Sequence, residues 1–191
     1  MISVTGGKYK GLKLHTVPGR STRPTTSIVR KAIFDVVDVE GKDFLDLFCG
    51  SCIVSIEAIS RGARKVVAVD ISTRSVGVCK KNQGKIKENF EVVKSDVMKY
   101  LKKCERRFDV IFMDPPYDMD IIPDVLDLIL KQNIMKENGI IIVEKRKGKK
   151  ILIPESLSVL KEKHYGDTEV LILKRKKGEA GTSPFGGCGR D

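Results

Sequence analysis

The seven residues DLFCGSC, Asp46 to Cys52, contain side chains and a turn that could do three kinds of chemistry. Cys49 and Cys52 have the C-x-x-C spacing of a redox dithiol or of half a zinc site. A glycine turn between an apolar strand and a helical pattern is instead typical of a cofactor-binding loop. Because neither a second C-x-x-C nor an H-x-x-x-H occurs in the chain, the zinc interpretation is weak.

Acidic residues stand at the carboxyl ends of four predicted strands: Asp46, Asp70, Asp96 and Asp114. Ligands of open α/β sheets bind outside these ends, so we expect the four carboxylates to line one crevice. A carboxylate at position 46 repels phosphate and attracts a cation, and the loop lacks the G-x-G-x-x-G of dinucleotide sites. This favours S-adenosylmethionine, which carries an ammonium and a sulfonium, over NAD. Asp70 then suits the ribose hydroxyls and Asp96 the adenine amino group.

The stretch DPPY, Asp114 to Tyr117, directly follows the apolar strand VIFM. Two consecutive prolines, Pro115 and Pro116, stiffen the turn and remove two N–H donors, so that it presents carbonyl oxygens. The acid supplies another acceptor and the tyrosine a face for stacking. The stretch therefore predicts a site for a planar amino group on a nucleobase, with a rigid surface turn as the alternative.

The elements around these residues alternate between short apolar runs and helical patterns, which predicts a doubly wound α/β sheet of seven mostly parallel strands. Two late runs, LSVLKEKHYG and TEVLILKR, have no helix between them and are expected to pair antiparallel at one edge. The other predicted strands span 43–48, 65–70, 90–96, 109–114 and 139–145, and the predicted helices span roughly 53–61, 72–88, 97–104 and 121–131.

The two ends of the chain fall outside this repeating pattern. ISVTG and LKLHTV flank GGKYKG and predict a hairpin, and RPTTSIVRKAIFDVV predicts a helix that begins near Thr25 or Thr26. The glycine-rich end GEAGTSPFGGCGRD has no periodicity. We therefore expect an N-terminal hairpin extension (1–20), a main domain (21–177) and a flexible tail (178–191).

The charge balance points to a polyanionic partner. The 191 residues include 36 lysines and arginines against 25 aspartates and glutamates, a formal net charge of +11, with clusters in EKRKGKK and KRKKG. Such an excess suits nucleic acid, although a basic protein without that partner is the alternative. No secretory or membrane segment is visible, and five scattered cysteines do not suggest a disulfide framework, so we expect a reduced, cytoplasmic protein.

The chain resembles the RsmD-type enzymes of bacteria, the guanine-N2 methyltransferases of 16S ribosomal RNA. DPPY alone is shared with other amino-methyltransferases, whereas the G-G-x-x-x-G and RPT leader is more particular to this family. One departure is Cys52, which stands where the family usually has glycine. The likeness covers nearly the whole chain before its tail and is carried by GGKYKGLKL, RPTTSIVRKAIFDVV, DLFCGS, IEAISRGA, Asp70, DPPY and YGDTEVLIL.

The resemblance implies a class I, Rossmann-like methyltransferase with S-adenosylmethionine as methyl donor. It implies 16S rRNA, in the small ribosomal subunit or its assembly intermediate, as partner, and a monomer without membrane contact. The implied catalytic residues are Asp114, Pro115, Pro116 and Tyr117. The implied cofactor-binding residues are Asp46, Phe48, Gly50, Ser51, Asp70, Ile71, Ser95, Asp96 and Asp114. The implied RNA contacts are Arg23, Thr25, Arg30 and Lys31.

A mechanism follows from these assignments. If the Asp114 side chain and the Pro115 carbonyl each accept one hydrogen of the guanine amino group, its nitrogen lone pair can point at the sulfonium methyl. Tyr117 would stack on the extruded base. Three rival functions remain: a DNA adenine or cytosine amino-methyltransferase, for which the chain has little room, a non-catalytic RNA-binding module, and an oxidoreductase using CGSC. The last two would leave DPPY unused.

Overall fold

The computed structural model describes residues 1–17 and 26–176. The predicted boundary between residues 20 and 21, the predicted tail, and the predicted RNA contacts Arg23 and Thr25 lie outside these residues. The helices are α1 Ser27–Phe34, α2 Ile53–Ser60, α3 Thr73–Gln83, α4 Val97–Lys103 and α5 Ile122–Lys131. The strands are β1 Ile2–Ser3, β2 Lys13–Leu14, β3 Asp43–Leu47, β4 Lys65–Asp70, β5 Glu91–Lys94, β6 Phe108–Met113, β7 Met135–Arg146, β8 Leu157–Tyr165 and β9 Thr168–Arg175.

Seven strands form one sheet in the order β5-β4-β3-β6-β7-β9-β8. The first five are parallel, and β9 and β8 run antiparallel at one edge through the turn at Gly166 and Asp167. This confirms the predicted doubly wound sheet and its antiparallel edge pair. The chain reverses its direction of winding between β3 and β6, and such a switch point is where open α/β sheets bind ligands.

Strand β3 shows how the sheet separates two cores. Leu45 and Leu47 belong to the core beneath α4 and α5, and Phe44 belongs to the core beneath α1 and α2. Side chains alternate along a strand, so Asp46 lies on the same face as Phe44. It is 1% exposed. A buried carboxylate therefore stands at the switch point, on the face of the sheet that α1 and α2 cover.

The N-terminal hairpin is present, but each of its strands has only two residues. The turn between them packs on the end of α2, where the N–H groups of Lys8 and Tyr9 donate to the Ser60 carbonyl (2.8 Å) and hydroxyl (2.9 Å). Gly7 has a φ of +73°, and a Cβ there would lie 1.8 Å from the Ser60 carbonyl oxygen. Close packing against α2 thus explains why the GGKYKG stretch needs glycine at this position.

Helix α1 begins at a threonine cap, as predicted: the Thr26 side chain accepts from the Val29 N–H. Its buried face includes Val29, Ile33 and Phe34. Strand β5 is shorter than predicted because Asp96, which the sequence pattern places in the strand, caps α4 instead. None of the helices in the described ranges is long and apolar enough to cross a bilayer.

Candidate active site

Asp46 is the most buried of the strand-end acids. The Ser55 N–H (3.1 Å) and hydroxyl (2.5 Å), from the first turn of α2, donate to its Oδ2. Its Oδ1 is buried and has no hydrogen-bond partner among the described residues. Burial raises the pKa of Asp46 to about 7 against the opposing bonds from Ser55, and the nearby Asp114 and Asp70 carboxylates add to the rise. A cation is the group that would satisfy this carboxylate best.

Asp70 holds the loop that follows β3. Its Oδ2 accepts from the Gly50 N–H (2.9 Å) and its Oδ1 from the Ser72 N–H (2.8 Å). A carboxylate accepts hydrogen bonds only, which is the chemistry that the predicted contact with ribose hydroxyls needs. Ile71, next in the chain, is 65% exposed. The pair offers acceptors and an apolar surface side by side.

Every second residue from 48 to 52 has a left-handed backbone: Phe48 (φ 61°), Gly50 (φ 56°) and Cys52 (φ 58°). This conformation is natural for glycine and costs other residues about 1–2 kcal/mol. Such local strain clusters at ligand-binding sites. Phe48, Gly50 and the buried Ser51, all predicted to bind cofactor, lie within this tightly wound loop.

Ser95 and Asp96 lie beside the end of β4, where the Ser95 N–H donates to the Asp70 carbonyl (3.1 Å). Asp96 accepts the Lys99 N–H with Oδ1 (3.0 Å) as the cap of α4. The structure therefore places the predicted cofactor residues from the ends of β3, β4 and β5 along one edge of the sheet.

The DPPY stretch directly follows β6, next to β3. Pro115 is buried, and the half-buried Tyr117 has its hydroxyl 3.3 Å from Thr168 Oγ1 in β9. Burial raises the pKa of the Tyr117 phenol above its ordinary value, so the hydroxyl is protonated at neutral pH. The Met119 N–H donates to the Pro116 carbonyl (3.0 Å). These contacts fix the chain just after Pro115.

Lys149 also holds this loop, and sequence reasoning missed it. Its Nζ donates to the carbonyls of Tyr117 (2.9 Å) and Met119 (3.0 Å) and lies 2.8 Å from Asp120 Oδ1. Lys145 in turn donates to the Lys149 carbonyl (2.8 Å). Two lysines of EKRKGKK, a cluster attributed to nucleic-acid binding, therefore make internal contacts, and no local pattern distinguishes them from their exposed neighbours.

The prediction that Arg30 contacts RNA is wrong. Its side chain is fully buried, Nη2 donates to the Ser3 carbonyl (2.8 Å), and Nε lies 3.7 Å from Glu57 Oε2. Glu57 is equally buried and also accepts the N–H (2.8 Å) and hydroxyl (2.6 Å) of Thr5. Arg30 thus joins α1 to α2 and the hairpin. Lys31 is exposed and pairs with Asp35 at 2.5 Å, so it remains a candidate.

The prediction of reduced cysteines without a disulfide is also wrong, because the structure contains a Cys52–Cys79 disulfide with Cα atoms 5.2 Å apart. Cys79 is fully buried in α3. Cys49 Sγ lies 3.6 Å from Cys52 Sγ and 3.8 Å from Cys79 Sγ. The C-x-x-C pair of Cys49 and Cys52 therefore belongs to a three-cysteine cluster.

Comparison with known proteins gives a consistent result. The family model described as conserved hypothetical protein 95 matches residues 2–174. The chain is similar to ribosomal RNA small subunit methyltransferase D of Haemophilus influenzae, with 31% identity over 86% of this chain and 89% of that protein. It is also similar to the protein of that name in Escherichia coli, with 27% identity over 92% and 90% of the two chains.

Solved structures agree with the fold. A hypothetical protein of Thermus thermophilus has a TM-score of 0.79 and 28% identity, covering 91% of this chain and 99% of that one. A ribosomal protein L11 methylase from Lactobacillus delbrueckii, with 21% identity and a TM-score of 0.64 over 81% and 80% of the two chains, shares the fold alone. The predicted class I methyltransferase fold is confirmed.

Proposed function

Because the chain belongs to the conserved hypothetical protein 95 family, which includes the RsmD-type rRNA methyltransferases, we propose that it methylates the N2 amino group of a guanine in 16S rRNA. Its cofactor is S-adenosylmethionine, and its reaction class is rRNA methylation. To this reaction class the proposal adds the methylated atom, guanine N2, and the substrate, 16S rRNA in the small ribosomal subunit or its assembly intermediate. It also adds that the enzyme is a monomer and acts in the cytoplasm.

One observation carries the proposal: DPPY follows β6 at the switch point, next to the strand that holds Asp46. The registers of β3 and β6 pair Asp46 with Phe112, two residues before Asp114. The residues that we expect to bind the cation and the amino group therefore lie on neighbouring strands. Methyl transfer from a sulfonium to an amine needs this arrangement, because the two reacting groups must approach in line.

The residues present fit the cofactor. The buried Oδ1 of Asp46 has no partner among the described residues, and it suits the cofactor's positive charge. The backbone turn at Gly50 lets a ligand approach the chain closely. When bound, S-adenosylmethionine supplies an electrophilic methyl group. The residues expected to hold it are Asp46, Phe48, Gly50, Ser51, Asp70, Ile71, Ser95, Asp96 and Asp114.

The chain's own catalytic task is to orient the guanine amino group. Its nitrogen is a poor nucleophile while its lone pair is delocalised into the ring. Asp114 Oδ and the Pro115 carbonyl accept its two hydrogens and favour a tetrahedral nitrogen with an available lone pair. Pro116 stiffens the turn, and the ring of Tyr117, anchored near Thr168, stacks on the base. As the new N–C bond forms, the S–C bond to the methyl group would break, and the positively charged nitrogen would then lose a proton to water.

The test is methyl transfer from labelled S-adenosylmethionine to small-subunit particles, naked 16S rRNA and DNA in parallel, followed by nucleoside analysis. We expect N2-methylguanosine from an RNA substrate. Label in DNA alone would replace the substrate by DNA. Cofactor binding with no label in any substrate would favour a non-catalytic RNA-binding module.

A matched pair of variants tests the mechanism. Asp114→Asn replaces a carboxylate acceptor by an amide and should lower kcat, measured at saturating S-adenosylmethionine, roughly 100-fold or more. Asp118→Asn makes the same change at an exposed position four residues later and should keep normal turnover. Near-normal turnover of Asp114→Asn would reject the role of this carboxylate.

A further inference from the structure

Three cysteines meet at the loop after β3, and we call them the cysteine trio: Cys49, Cys52 and Cys79. Cys49 follows the strand, Cys52 stands directly before α2, and Cys79 lies in α3. The Cys52–Cys79 disulfide therefore ties this loop to a helix that comes later in the chain. Cys79 Sγ also lies 3.5 Å from the Gly50 carbonyl.

The three cysteines differ in their exposure as whole residues, and Cys49 is the most exposed of them. Cys52 and Cys79 are 0% exposed, whereas Cys49 is partly exposed. Thiol–disulfide exchange requires a thiolate to reach a disulfide sulfur directly. A thiol from solution therefore cannot attack the disulfide while the fold is intact. Cys49 Sγ, at 3.6 Å and 3.8 Å from the two bonded sulfurs, is placed to do so.

We infer that the cysteine trio is a thiol–disulfide exchange site in which Cys49 relays electrons between a dithiol in solution and the buried disulfide. The Cys49 thiolate attacks Cys52 Sγ, a Cys49–Cys52 bond forms, and Cys79 leaves as a thiolate that takes up a proton. The external dithiol then attacks Cys49 Sγ, and Cys52 leaves as a thiolate. The second thiol of the dithiol then attacks the dithiol's own sulfur that is bonded to Cys49, which releases the Cys49 thiolate and the oxidised dithiol. In sum, the protein disulfide gains two electrons and two protons, and the external dithiol loses them.

The position of Cys52 supports the second step. It directly precedes α2, an eight-residue helix, and the N-terminus of a helix stabilises a thiolate. A stabilised thiolate leaves faster during exchange. The C-x-x-C spacing of Cys49 and Cys52 is also that of known redox dithiols.

A metal ion could in principle use the same atoms, since all three sulfurs lie within 4.8 Å of one another. A metal site needs all three as separate thiolates. In the structure two of them are bonded to each other, which is the state from which exchange starts. The inference rests on the proposed function only in one respect: if the loop binds cofactor, the redox state of the trio controls that loop.

The experiment is reduction of the oxidised, folded protein by dithiothreitol, followed by alkylation and peptide mapping over time. Cys49→Ser and Cys49→Ala should each slow the appearance of Cys52 and Cys79 thiols roughly tenfold or more. Cys104 is also partly exposed, so the Cys104→Ser variant serves as the control and should be reduced at the wild-type rate. Wild-type rates in both Cys49 variants would overturn the relay, as would finding Cys52 and Cys79 unlinked in protein purified without reductant.

A second variant traps the intermediate bond. Cys79→Ser, treated with oxidised glutathione, should form a Cys49–Cys52 disulfide visible in the peptide map, with folding checked by circular dichroism. If Cys79→Ser is folded and the bond is absent, the relay fails, and if it is unfolded, the Cys49 kinetics decide. Both readouts follow sulfur chemistry and not methyl transfer. If the protein shows thiol–disulfide exchange at the trio but methylates none of the substrates, the proposed function is rejected and the relay is not.

Discussion

The backbone N–H of Gly50 donates to the Asp70 carboxylate across 2.9 Å, so the end of β4 fixes the loop that follows β3. The N–H groups of Gly50 and Ser72 each donate to one oxygen of Asp70. Asp70→Asn keeps one oxygen and replaces the other by an NH2 group, which cannot accept, so one of these two hydrogen bonds is lost. Hydrogen bonds to charged groups are worth about 1.5–3 kcal/mol, so S-adenosylhomocysteine should bind roughly tenfold more weakly or worse by calorimetry. Asp127→Asn, on the exposed face of α5, is the control. Unchanged affinity in Asp70→Asn would show that the loop does not depend on this bond.

Asp46 should make stability depend on pH. Its pKa is about 7 in the folded protein and 3.8 ordinarily, so the folded state holds the proton more tightly. The contribution of this proton to the free energy of unfolding is complete below pH 4 and is lost as the pH rises through 7. At about 1.4 kcal/mol per pKa unit, the loss is on the order of 4 kcal/mol. Asp46→Asn still accepts from Ser55 but does not titrate. Urea unfolding of the variant should show a smaller decline from pH 4.5 to pH 8, and identical declines would contradict the raised pKa.

The adjacent residues Arg30 and Lys31 should behave in opposite ways. Arg30→Met removes a buried guanidinium whose Nη2 donates to the Ser3 carbonyl, while Glu57 keeps Arg61 as a partner at 3.0 Å. The free energy of unfolding should therefore fall by about 1–3 kcal/mol. Lys31→Met changes an exposed side chain and should leave stability within about 0.5 kcal/mol. It should weaken RNA binding and flatten its salt dependence. RNA affinity that is unchanged across a salt series would remove Lys31 from the RNA contacts.

Lys149 should act on turnover through the loop it holds. Lys149→Met removes two hydrogen bonds to the carbonyls of Tyr117 and Met119, and the looser loop should lower kcat roughly tenfold or more. The affinity for S-adenosylhomocysteine should change less than kcat, because most of the residues expected to hold the cofactor lie at the ends of β3, β4 and β5. Lys150→Met removes the same charge from the exposed neighbour. If the two variants lose equal activity, the effect is one of general charge and not of loop position.

Reduction of the disulfide should weaken cofactor binding. The bond ties the cofactor loop to α3, and a loop that must be ordered on binding loses affinity, here by about 1 kcal/mol or roughly fivefold. Cys52→Gly lacks the disulfide and fits the left-handed backbone at this position without strain. Its affinity should therefore be the same with and without reductant. If dithiothreitol changes the cofactor affinity of wild type and Cys52→Gly equally, cofactor binding does not depend on the redox state of the cysteine trio.

The strands and the positions of the site residues could be predicted because they depend on short-range patterns. Apolar runs such as that of β6 mark buried strands, and Asp46 and Asp114 follow from where those strands end. Arg30 could not be predicted, since its environment is set by Glu57, 27 residues later. The Cys52–Cys79 bond likewise joins residues 27 positions apart. Such pairings depend on how helices pack on the sheet, and a local pattern does not record them.

The N-terminal hairpin sets an order for folding during synthesis. Thr5, Tyr9 and His15 make their hydrogen bonds with residues 51 to 79 positions later, on α2, in α3 and just beyond it. These hairpin residues leave the ribosome before their partners and must wait for them, so the hairpin docks only after two βα units have emerged. Until then Arg30 and Glu57 have not met, and a nascent chain stalled before residue 57 carries an exposed arginine in place of the finished protein's buried ion pair.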